Sequence, residues 1–532
     1  MTRSSVAFCA CILAVAVGAL ALRLPRLDVR PMHGDEGNQA VKAGILLETG
    51  SYVYDPHDHH GPTLYYLSLL PAWLTSEKTA ADLTESTLRT VPVAFGVGLV
   101  LLVLLAGDGL GLAAAVCAAI LTALSPAMVF YSRYYIQEML LVFFTFGAIV
   151  CGWRYTRGGR PVWAVLCAAC LALMFVTKET WVFAAAAMVA GVALETAWAR
   201  LIDRRPIALR PYLNIRHLAA GAGVFVVVWL ALFSSFFTNW SGLTDSLLAY
   251  WNFLFRAGGA GLHDKPRDYY LAMLAFSRWV TESRSGPWWS EALILALALV
   301  GAMAALTGRG IGAGQKPLGR FLVFYTIVLT VLYALVPYKT PWCTLSFLHG
   351  FILLAGIGVV ALVRWVRVRL LQVAVCVVLA ALAAQLGWQA YLASYRYPAD
   401  LRNPYVYAHT STDALNLVKR VEEIAAVSPD GLNLIVQVIT PENFWPLPWY
   451  LRQFPRVGWW HEMPENPDAD VIITSDFEKE LDARLRGKYN RMSMFGIRPG
   501  VVLTVYVRDD LWQAFLDRQR DARPSPSGKG AS

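Results

Sequence analysis

Charged residues are scarce in this chain. Asp, Glu, Lys and Arg make up 16% of its 532 residues and hydrophobic residues 57%, giving a mean hydropathy of +0.47. Soluble globular proteins carry about 25% charged residues, so the composition excludes an ordinary soluble enzyme. Cysteine is scarce too. All eight cysteines lie in or beside apolar stretches, which excludes a disulfide framework in the more polar C-terminal part.

Long apolar stretches explain the high hydropathy. Eleven of them approach the ~20 residues that a helix needs to cross ~30 Å of hydrocarbon. They cover 6–22, 91–107, 111–131, 136–153, 161–177, 181–198, 218–237, 288–306, 320–337, 343–363 and 371–391. The sequence therefore predicts a polytopic α-helical membrane protein with about 11 transmembrane helices.

The positions of Lys and Arg predict the orientation in the membrane. With a cytoplasmic N-terminus, the cytoplasmic segments hold fifteen Lys and Arg against two acids, a net charge of +13, whereas the whole chain carries +9. This positive-inside asymmetry explains the basic balance without a nucleic-acid partner. A cleaved signal peptide is an alternative for residues 6–22, although ten later spans favour a retained anchor. We expect the cell inner (plasma) membrane as the location.

The same topology divides the chain into regions. It predicts a transmembrane domain at 1–391 with outer loops at 23–90 and 238–287, an extracytoplasmic α/β domain at 392–515, and a disordered tail at 516–532. Alternating helical and strand-like patterns between 411 and 507 favour a small α/β domain. Its tryptophans, among them Trp445 and Trp460, suit either sugar stacking or a packed core.

Two adjacent carboxylates, Asp35 and Glu36, follow the first span directly. A carboxylate here can serve as a general base or bind a metal ion. The alternative is a helix N-terminus, with Asp35 as the cap and Glu36 in the first turn. The same loop holds four of the nine histidines. Of these, His60 precedes a Gly-Pro turn and is the preferred site residue, whereas a solvated cluster or weak metal binding explains His57 and His59.

Further ionisable groups occur at the outer ends of spans. Arg133 and Glu138 lie between the third and fourth spans, and Lys178 and Lys339 follow the fifth and ninth. Such groups at the mouth of a helix bundle are functional candidates, and cations there suit a lipid phosphate. The alternatives are a surface Arg–Glu pair and lysines that snorkel to the interface.

At these residues the sequence resembles the polyprenyl-phosphate-dependent glycosyltransferases of the GT-C fold, the superfamily of protein O-mannosyltransferases and aminoarabinose transferases. The shared features are Asp35-Glu36, His60-Gly-Pro-Thr-Leu, Ser132-Arg-Tyr followed by Glu138, and Thr177-Lys178. The strings Tyr338-Lys-Thr-Pro-Trp342 and Trp445-Pro-Leu-Pro-Trp-Tyr-Leu-Arg452 look like those of the flippase-activity-associated subgroup. Gly61 replaces a proline of the family pattern, and Glu138 stands where many relatives carry Asp.

The resemblance implies inverting transfer of a sugar from a polyprenyl-phosphate donor in the bilayer to an unknown acceptor on the outer face. It implies that Asp35 is the general base. Glu36, Glu138 and His60 would support or coordinate a divalent cation, and Arg133, Lys178 and Lys339 would stabilise the leaving phosphate. Tyr338 belongs to the same motif as Lys339. His263 and Lys265 lie in a segment that either covers the cavity or forms a solvated rim.

Two other functions remain compatible with the sequence. A transporter or accessory protein for lipid-linked sugars would have broken, polar helices at mid-membrane in paired halves, and no such pairing is evident. A scaffold without catalytic activity would not need Asp35 and Glu36.

Overall fold

The computed structural model describes residues 3–58, 60–204, 214–258, 264–281, 285–485 and 487–521. The chain divides into two compact units. The helical unit comprises Met1–Leu27, Ile45–Lys78 and Leu83–Tyr407, and the sheet unit comprises Asp28–Gly44, Thr79–Asp82 and Ala408–Ser532. The segment that carries Asp35 and Glu36 therefore belongs to the unit formed by the C-terminal part of the chain.

Up to Tyr391 the described residues form α1 (Arg3–Arg23), α2 (Gly34–Thr49), α3 (Thr63–Leu74), α4 (Glu85–Leu110), α5 (Leu112–Leu124), α6 (Pro126–Tyr131), α7 (Glu138–Gly158), α8 (Pro161–Phe175), α9 (Trp181–Leu201), α10 (Ile215–Phe233), α11 (Ser241–Gly258), α12 (Tyr269–Ala275), α13 (Ala292–Thr307), α14 (Lys316–Leu335), α15 (Leu345–Trp365) and α16 (Arg369–Tyr391). A hairpin of β1 (Ser277–Val280) and β2 (Ser285–Trp289) precedes α13.

The predicted spans coincide with apolar helices. Eight helices among the described residues are long and apolar enough to cross a membrane, and three shorter ones, α5, α8 and α13, lie where the other three spans were predicted. The prediction of a polytopic membrane protein is confirmed. Which membrane face each loop occupies stays a prediction from the charge distribution.

Local sequence explains where these helices begin and end. The Thr84 side chain accepts from the Thr87 amide and caps α4. Pro161 occupies the first turn of α8, where a missing amide hydrogen costs nothing. Gly159 ends α7 and Gly308 ends α13 in the left-handed conformation that glycine adopts without strain.

The sheet unit is a small α/β structure, as predicted. It contains α17 (Asp413–Ala425), β3 (Val436–Ile439), α18 (Leu447–Tyr450), β4 (Val457–Trp460), β5 (Val471–Thr474), α19 (Glu478–Arg484), β6 (Tyr489–Arg498), β7 (Val501–Arg508) and α20 (Asp509–Asp521). The strand order is β4-β3-β5-β7-β6. Strand β3 pairs in parallel with β4 and β5, and β7 pairs antiparallel with β5 and β6.

Two apolar clusters cover the two faces of this sheet. Leu417, Val421 and Ile424 recur at helical spacing on α17 and pack with Val436 and Val438 of β3 on one face. Ile439, Ile472 and Leu481 form the smaller cluster of the other face. Trp449 is fully buried and Trp445 and Trp460 are partly buried, so packing accounts for much of the tryptophan content. Helix α20 continues to Asp521, beyond the predicted end of the domain at 515.

Candidate functional site

In the helical unit, the loop at 54–62, here called the histidine loop, lies against the turn after α8. The backbone nitrogen and the hydroxyl of Thr63 both donate to the Val176 carbonyl, at 3.3 Å and 2.7 Å. A Cβ on Gly61 would lie 2.1 Å from the same carbonyl oxygen. Glycine is therefore required at this position for the two backbones to approach, which gives a physical reason for the departure from the proline of the family pattern.

We expect Gly61→Ala to separate the two segments. The added methyl group meets backbone, which cannot move aside as a side chain can, so the variant should lose about 1–3 kcal/mol of stability. Gly223→Ala is the matched control, because a Cβ there meets nothing within 4 Å. Thermal unfolding in detergent measures both. Equal melting temperatures for the two variants would contradict the close approach.

His60 is hydrogen-bonded to Glu179 across this junction. Its Nδ1 lies 2.7 Å from Oε2 of Glu179, and the Tyr54 hydroxyl donates to Oε1 of the same carboxylate at 3.3 Å. Burial acts to raise the pKa of Glu179, but the charge and hydrogen bond of His60 and the charge of Lys178 outweigh burial and lower it. Sequence reasoning assigned no role to Glu179, although its position beside Lys178 was a usable signal.

Lys178 pairs with Glu138 at the start of α7. Its Nζ donates to Oε1 of Glu138, and the two side chains are 8% and 4% exposed. Burial acts to lower the pKa of Lys178, but the Glu138 carboxylate outweighs it and raises the pKa. The second oxygen of Glu138, Oε2, is buried and accepts no hydrogen bond from the described residues. The pair therefore offers an acceptor that a ligand hydroxyl can use.

Lys339 turns toward backbone oxygens. Its Nζ donates to the carbonyls of Lys265, at 3.3 Å, and of Val336. The Lys265 amide donates to the Pro337 carbonyl at 3.1 Å. The backbones of Asp264 and Tyr338 form an isolated antiparallel β-bridge. Burial lowers the pKa of Lys339, an effect that Asp264 opposes. The structure thus brings Lys265, Tyr338 and Lys339 together.

His263 lies outside the described residues, so its predicted place beside Lys265 is untested.

Arg133 is engaged at the end of α1. Its guanidinium donates to the carbonyls of Arg23, Pro25 and Arg26. The last carbonyls of a helix have no partner within the helix, and Arg133 supplies donors to this end. We predicted a phosphate contact for Arg133. The contacts described here fix the chain as it leaves α1, and the phosphate contact stays a prediction.

The sheet unit gives different environments to Asp35 and Glu36. Glu36 is fully buried, accepts from Arg30 at 2.8 Å and caps the helix by accepting from the His33 amide at 3.0 Å. Asp35 keeps 53% of its side chain exposed. Its amide donates to Nδ1 of His33 at 3.0 Å. Asp35 thus lies in the first turn of α2, not at its cap, and remains available for chemistry.

Residues Trp445–Tyr450 pack against the segment that carries Asp35 and Glu36. The Tyr450 hydroxyl accepts from the Met32 amide at 2.7 Å. A Cβ on Gly37 would lie 2.8 Å from Cβ and 3.2 Å from Cα of Pro446, whereas one on Gly34 would meet Trp445 at 3.5 Å. Two motifs more than 400 residues apart therefore form one structure.

Gly37→Ala should displace this segment from its support. The Cα of Pro446 cannot give way, so α2 must shift, and the variant should lose about 1–3 kcal/mol of stability. Gly34→Ala is the matched control on the same helix, since its Cβ makes an ordinary contact. Thermal unfolding in detergent measures both variants. A melting temperature of Gly37→Ala as high as that of the control would contradict the support role.

The residues expected to hold a metal do not fit that task. Glu36 is paired with Arg30, and Glu138 is paired with Lys178, so a cation already neutralises each carboxylate. His60 is paired with Glu179. Among the described residues, no three His, Cys, Asp or Glu side chains group as metal ligands. We derive no chemical step through a metal.

An apolar cavity of about 480 Å³ opens between helices of the helical unit. Thr63 and Tyr66 of α3, Phe95 of α4, Phe143 of α7 and Leu173 of α8 line it. Thr63 also bonds to Val176, two residues before Lys178. Thr63 therefore connects the lining of the cavity with the turn that carries Lys178 and Glu179.

Comparisons with known proteins concern the family resemblance and the fold. The profile of the family described as dolichyl-phosphate-mannose-protein mannosyltransferase matches residues 54–241, which include the histidine loop and the pairs Lys178–Glu138 and His60–Glu179. No curated protein matches the sequence.

Solved structures share the fold at low sequence identity. The crystal structure of ArnT from Cupriavidus metallidurans bound to undecaprenyl phosphate has 13% identity and a TM-score of 0.63, over 94% of this chain and 98% of that one. The archaeal oligosaccharyltransferase AglB from Archaeoglobus fulgidus, in complex with an inhibitory peptide and a dolichol-phosphate, has 13% identity and a TM-score of 0.53, over 95% and 77%. The predicted fold is confirmed by these structures, and the profile match supports the family resemblance over residues 54–241. Nothing in these comparisons concerns the flippase-associated subgroup, which stays a prediction.

Proposed function

We propose that this protein is a membrane glycosyltransferase. The chain has the GT-C fold and matches the mannosyltransferase profile over 54–241. It moves a sugar from a polyprenyl-phosphate donor to an acceptor on the extracytoplasmic face, with inversion at the anomeric carbon. The observation that carries the proposal is the turn at which Lys178 pairs with Glu138 and Glu179 with His60. Thr63, which lines an apolar cavity, is hydrogen-bonded to Val176 of the same turn.

The donor tail is assigned to the cavity. Aromatic and aliphatic side chains line it, so a segment of a polyprenyl chain finds an apolar surface to pack against. The donor phosphate is assigned to Lys178. A phosphate oxygen accepts charge-assisted hydrogen bonds as well as a carboxylate does. It therefore competes with Glu138 for the ammonium group.

Glu138 then has a role in sugar binding. When Lys178 turns to the phosphate, both oxygens of the buried carboxylate need donors, and the hydroxyl groups of a sugar supply them. Oε2 already lacks a partner among the described residues. Binding of the donor thus exchanges one set of hydrogen bonds for another, without leaving a buried charge uncompensated.

Asp35 is assigned as the general base. Its exposed carboxylate takes the proton of the acceptor hydroxyl while the acceptor oxygen forms a bond to the anomeric carbon. The bond from that carbon to the phosphate oxygen breaks, and the electron pair leaves with the phosphate, whose charge Lys178 stabilises. Glu36, Arg30 and His33 hold Asp35 in place through the contacts described above.

A reconstituted assay separates transfer from transport, the alternative that the sequence left open. Vesicles containing the protein and a synthetic polyprenyl-phosphate sugar, labelled in the sugar, are incubated with a candidate acceptor extract. Transfer releases polyprenyl phosphate and moves the label to another molecule. An intact donor that has exchanged between leaflets would instead support a transporter and overturn the proposal.

A further inference from the structure

Three arginines meet where α1 ends. Arg133 donates to the backbone oxygens of Pro25 at 2.8 Å and of Arg26 at 3.0 Å. The adjoining Ser132 accepts from Nε of Arg23 at 3.0 Å. Arg23 is fully buried and Arg133 is 7% exposed, whereas Arg26 is exposed. In this cluster Arg23 and Arg133 are therefore buried, and only the charge of Arg26 is accessible.

Tyr395, just after α16, lies against the side chain of Arg133. Its hydroxyl accepts from Arg133 at 3.1 Å and donates to the Leu22 carbonyl at 2.8 Å. The guanidinium of Arg133 lies 4.5 Å from the centroid of the Tyr395 ring. The charges of Arg133, Arg26 and Arg23 all act on this hydroxyl. The ring thus forms one wall of a strongly positive site.

In the described part of the chain, no carboxylate forms an ion pair with Arg23 or Arg26. The Arg23 guanidinium donates to Ser132 and to the carbonyls of Ala19, Thr122 and Ala123. Arg26 forms no ion pair with the described acids. Like charges held near low-dielectric surroundings repel, and an anion placed between them relieves the repulsion. The cluster is therefore suited to a bound anion.

The approach to the cluster leads along a surface suited to lipid. Trp388 and Tyr391 are 55% and 44% exposed on α16, a candidate span. Their rings stack with centroids 5.5 Å apart, and Tyr391 stacks on Tyr395 at 5.2 Å. Exposed aromatic rings at the end of a span are typical of the headgroup level of a bilayer. An anion that reaches Arg26 along this face is a lipid headgroup.

We propose that Arg26, Arg133 and Tyr395 bind the phosphodiester of an anionic phospholipid. Arg26 supplies the accessible charge, and Arg133, already fixed by backbone oxygens, supplies a second without a large ordering cost. Tyr391 and Trp388 contact the glycerol and the upper part of the acyl chains. This site is independent of the proposed transfer reaction, which uses Lys178 and Asp35.

Native mass spectrometry of the full-length protein in detergent tests the site. Phosphatidylglycerol, phosphatidylcholine, polyprenyl monophosphate and inorganic phosphate are each titrated against wild type, Arg26→Gln, Arg26→Lys and Arg157→Gln. Arg157 is the matched control. It is an exposed arginine near the C-terminal end of α7, and its guanidinium lies over the ring of Trp153.

We expect one phosphatidylglycerol to bind wild type more tightly than phosphatidylcholine does. Arg26→Gln should weaken it about fivefold, as one arginine near an anionic headgroup contributes, while Arg26→Lys and Arg157→Gln stay within about twofold. Equal binding of the two phospholipids to wild type would overturn the proposal without any variant. So would unchanged binding in Arg26→Gln, displacement of phosphatidylglycerol by inorganic phosphate, or Arg26-dependent preference for polyprenyl monophosphate.

Discussion

Asp35→Asn is expected to reduce sugar transfer by about 10²- to 10⁴-fold, because an amide cannot take the proton of the acceptor hydroxyl. Asparagine has nearly the same shape as aspartate. The Asp35 side chain is half-exposed, so the variant should fold as wild type does. Donor binding should be unchanged, because the residues assigned to the donor are Lys178 and Glu138.

Two controls accompany this variant. Asp35→Glu retains a carboxylate and should recover part of the rate. Asp28→Asn removes an exposed carboxylate from the same segment of the sheet unit and should leave the rate within about twofold. The rates of donor consumption at saturating donor are compared. Wild-type activity in Asp35→Asn would exclude Asp35 as the base, and equal losses in both Asn variants would indicate a general charge effect.

Lys178→Met is expected to affect stability and activity together. It leaves the buried Glu138 carboxylate without its cation, and breaking a buried pair in this way costs about 3–5 kcal/mol. The variant should therefore unfold at a clearly lower temperature. It should also fail to consume donor, since the leaving phosphate loses its cation.

A second substitution separates the two effects of Lys178→Met. The double variant Lys178→Met/Glu138→Gln removes both charges and should recover most of the lost stability, while transfer stays at the level of the single variant. Thermal unfolding and donor consumption are measured on the same samples. A double variant that regains both stability and transfer would show that the pair acts only in folding.

The membrane part of the fold follows closely from the sequence. A run of apolar residues needs no distant partner to become a span, so each of the eleven stretches coincides with a helix. Strand-like patterns at 432–439, 469–474 and 501–507 coincide with β3, β5 and β7, whereas no pattern predicted β4 and β6. Strand β4, Val457-Gly-Trp-Trp460, is short, and β6 carries mixed polar residues whose strand form depends on pairing with β7.

The site was less predictable because its contacts are long-range. Sequence could name Asp35, His60, Glu138 and Lys178, but no periodicity pairs His60 with Glu179 across 119 positions. It also could not show that Tyr450 and Pro446 support the segment of Asp35. For Arg133 the sequence suggested a phosphate contact, which stays a prediction, but it could not show that carbonyls at the end of α1 accept from the guanidinium.

Donor consumption by the detergent-purified protein tests the central claim most directly, because no leaflets exist there and transport cannot mimic transfer. The protein is incubated with a defined polyprenyl-phosphate sugar and an acceptor-containing extract, and the products are identified by mass spectrometry and the anomeric configuration by NMR. We expect one polyprenyl phosphate to be released for each sugar transferred, with the anomeric configuration inverted. Wild-type protein that leaves the donors intact across the range of polyprenyl-phosphate sugars would contradict it.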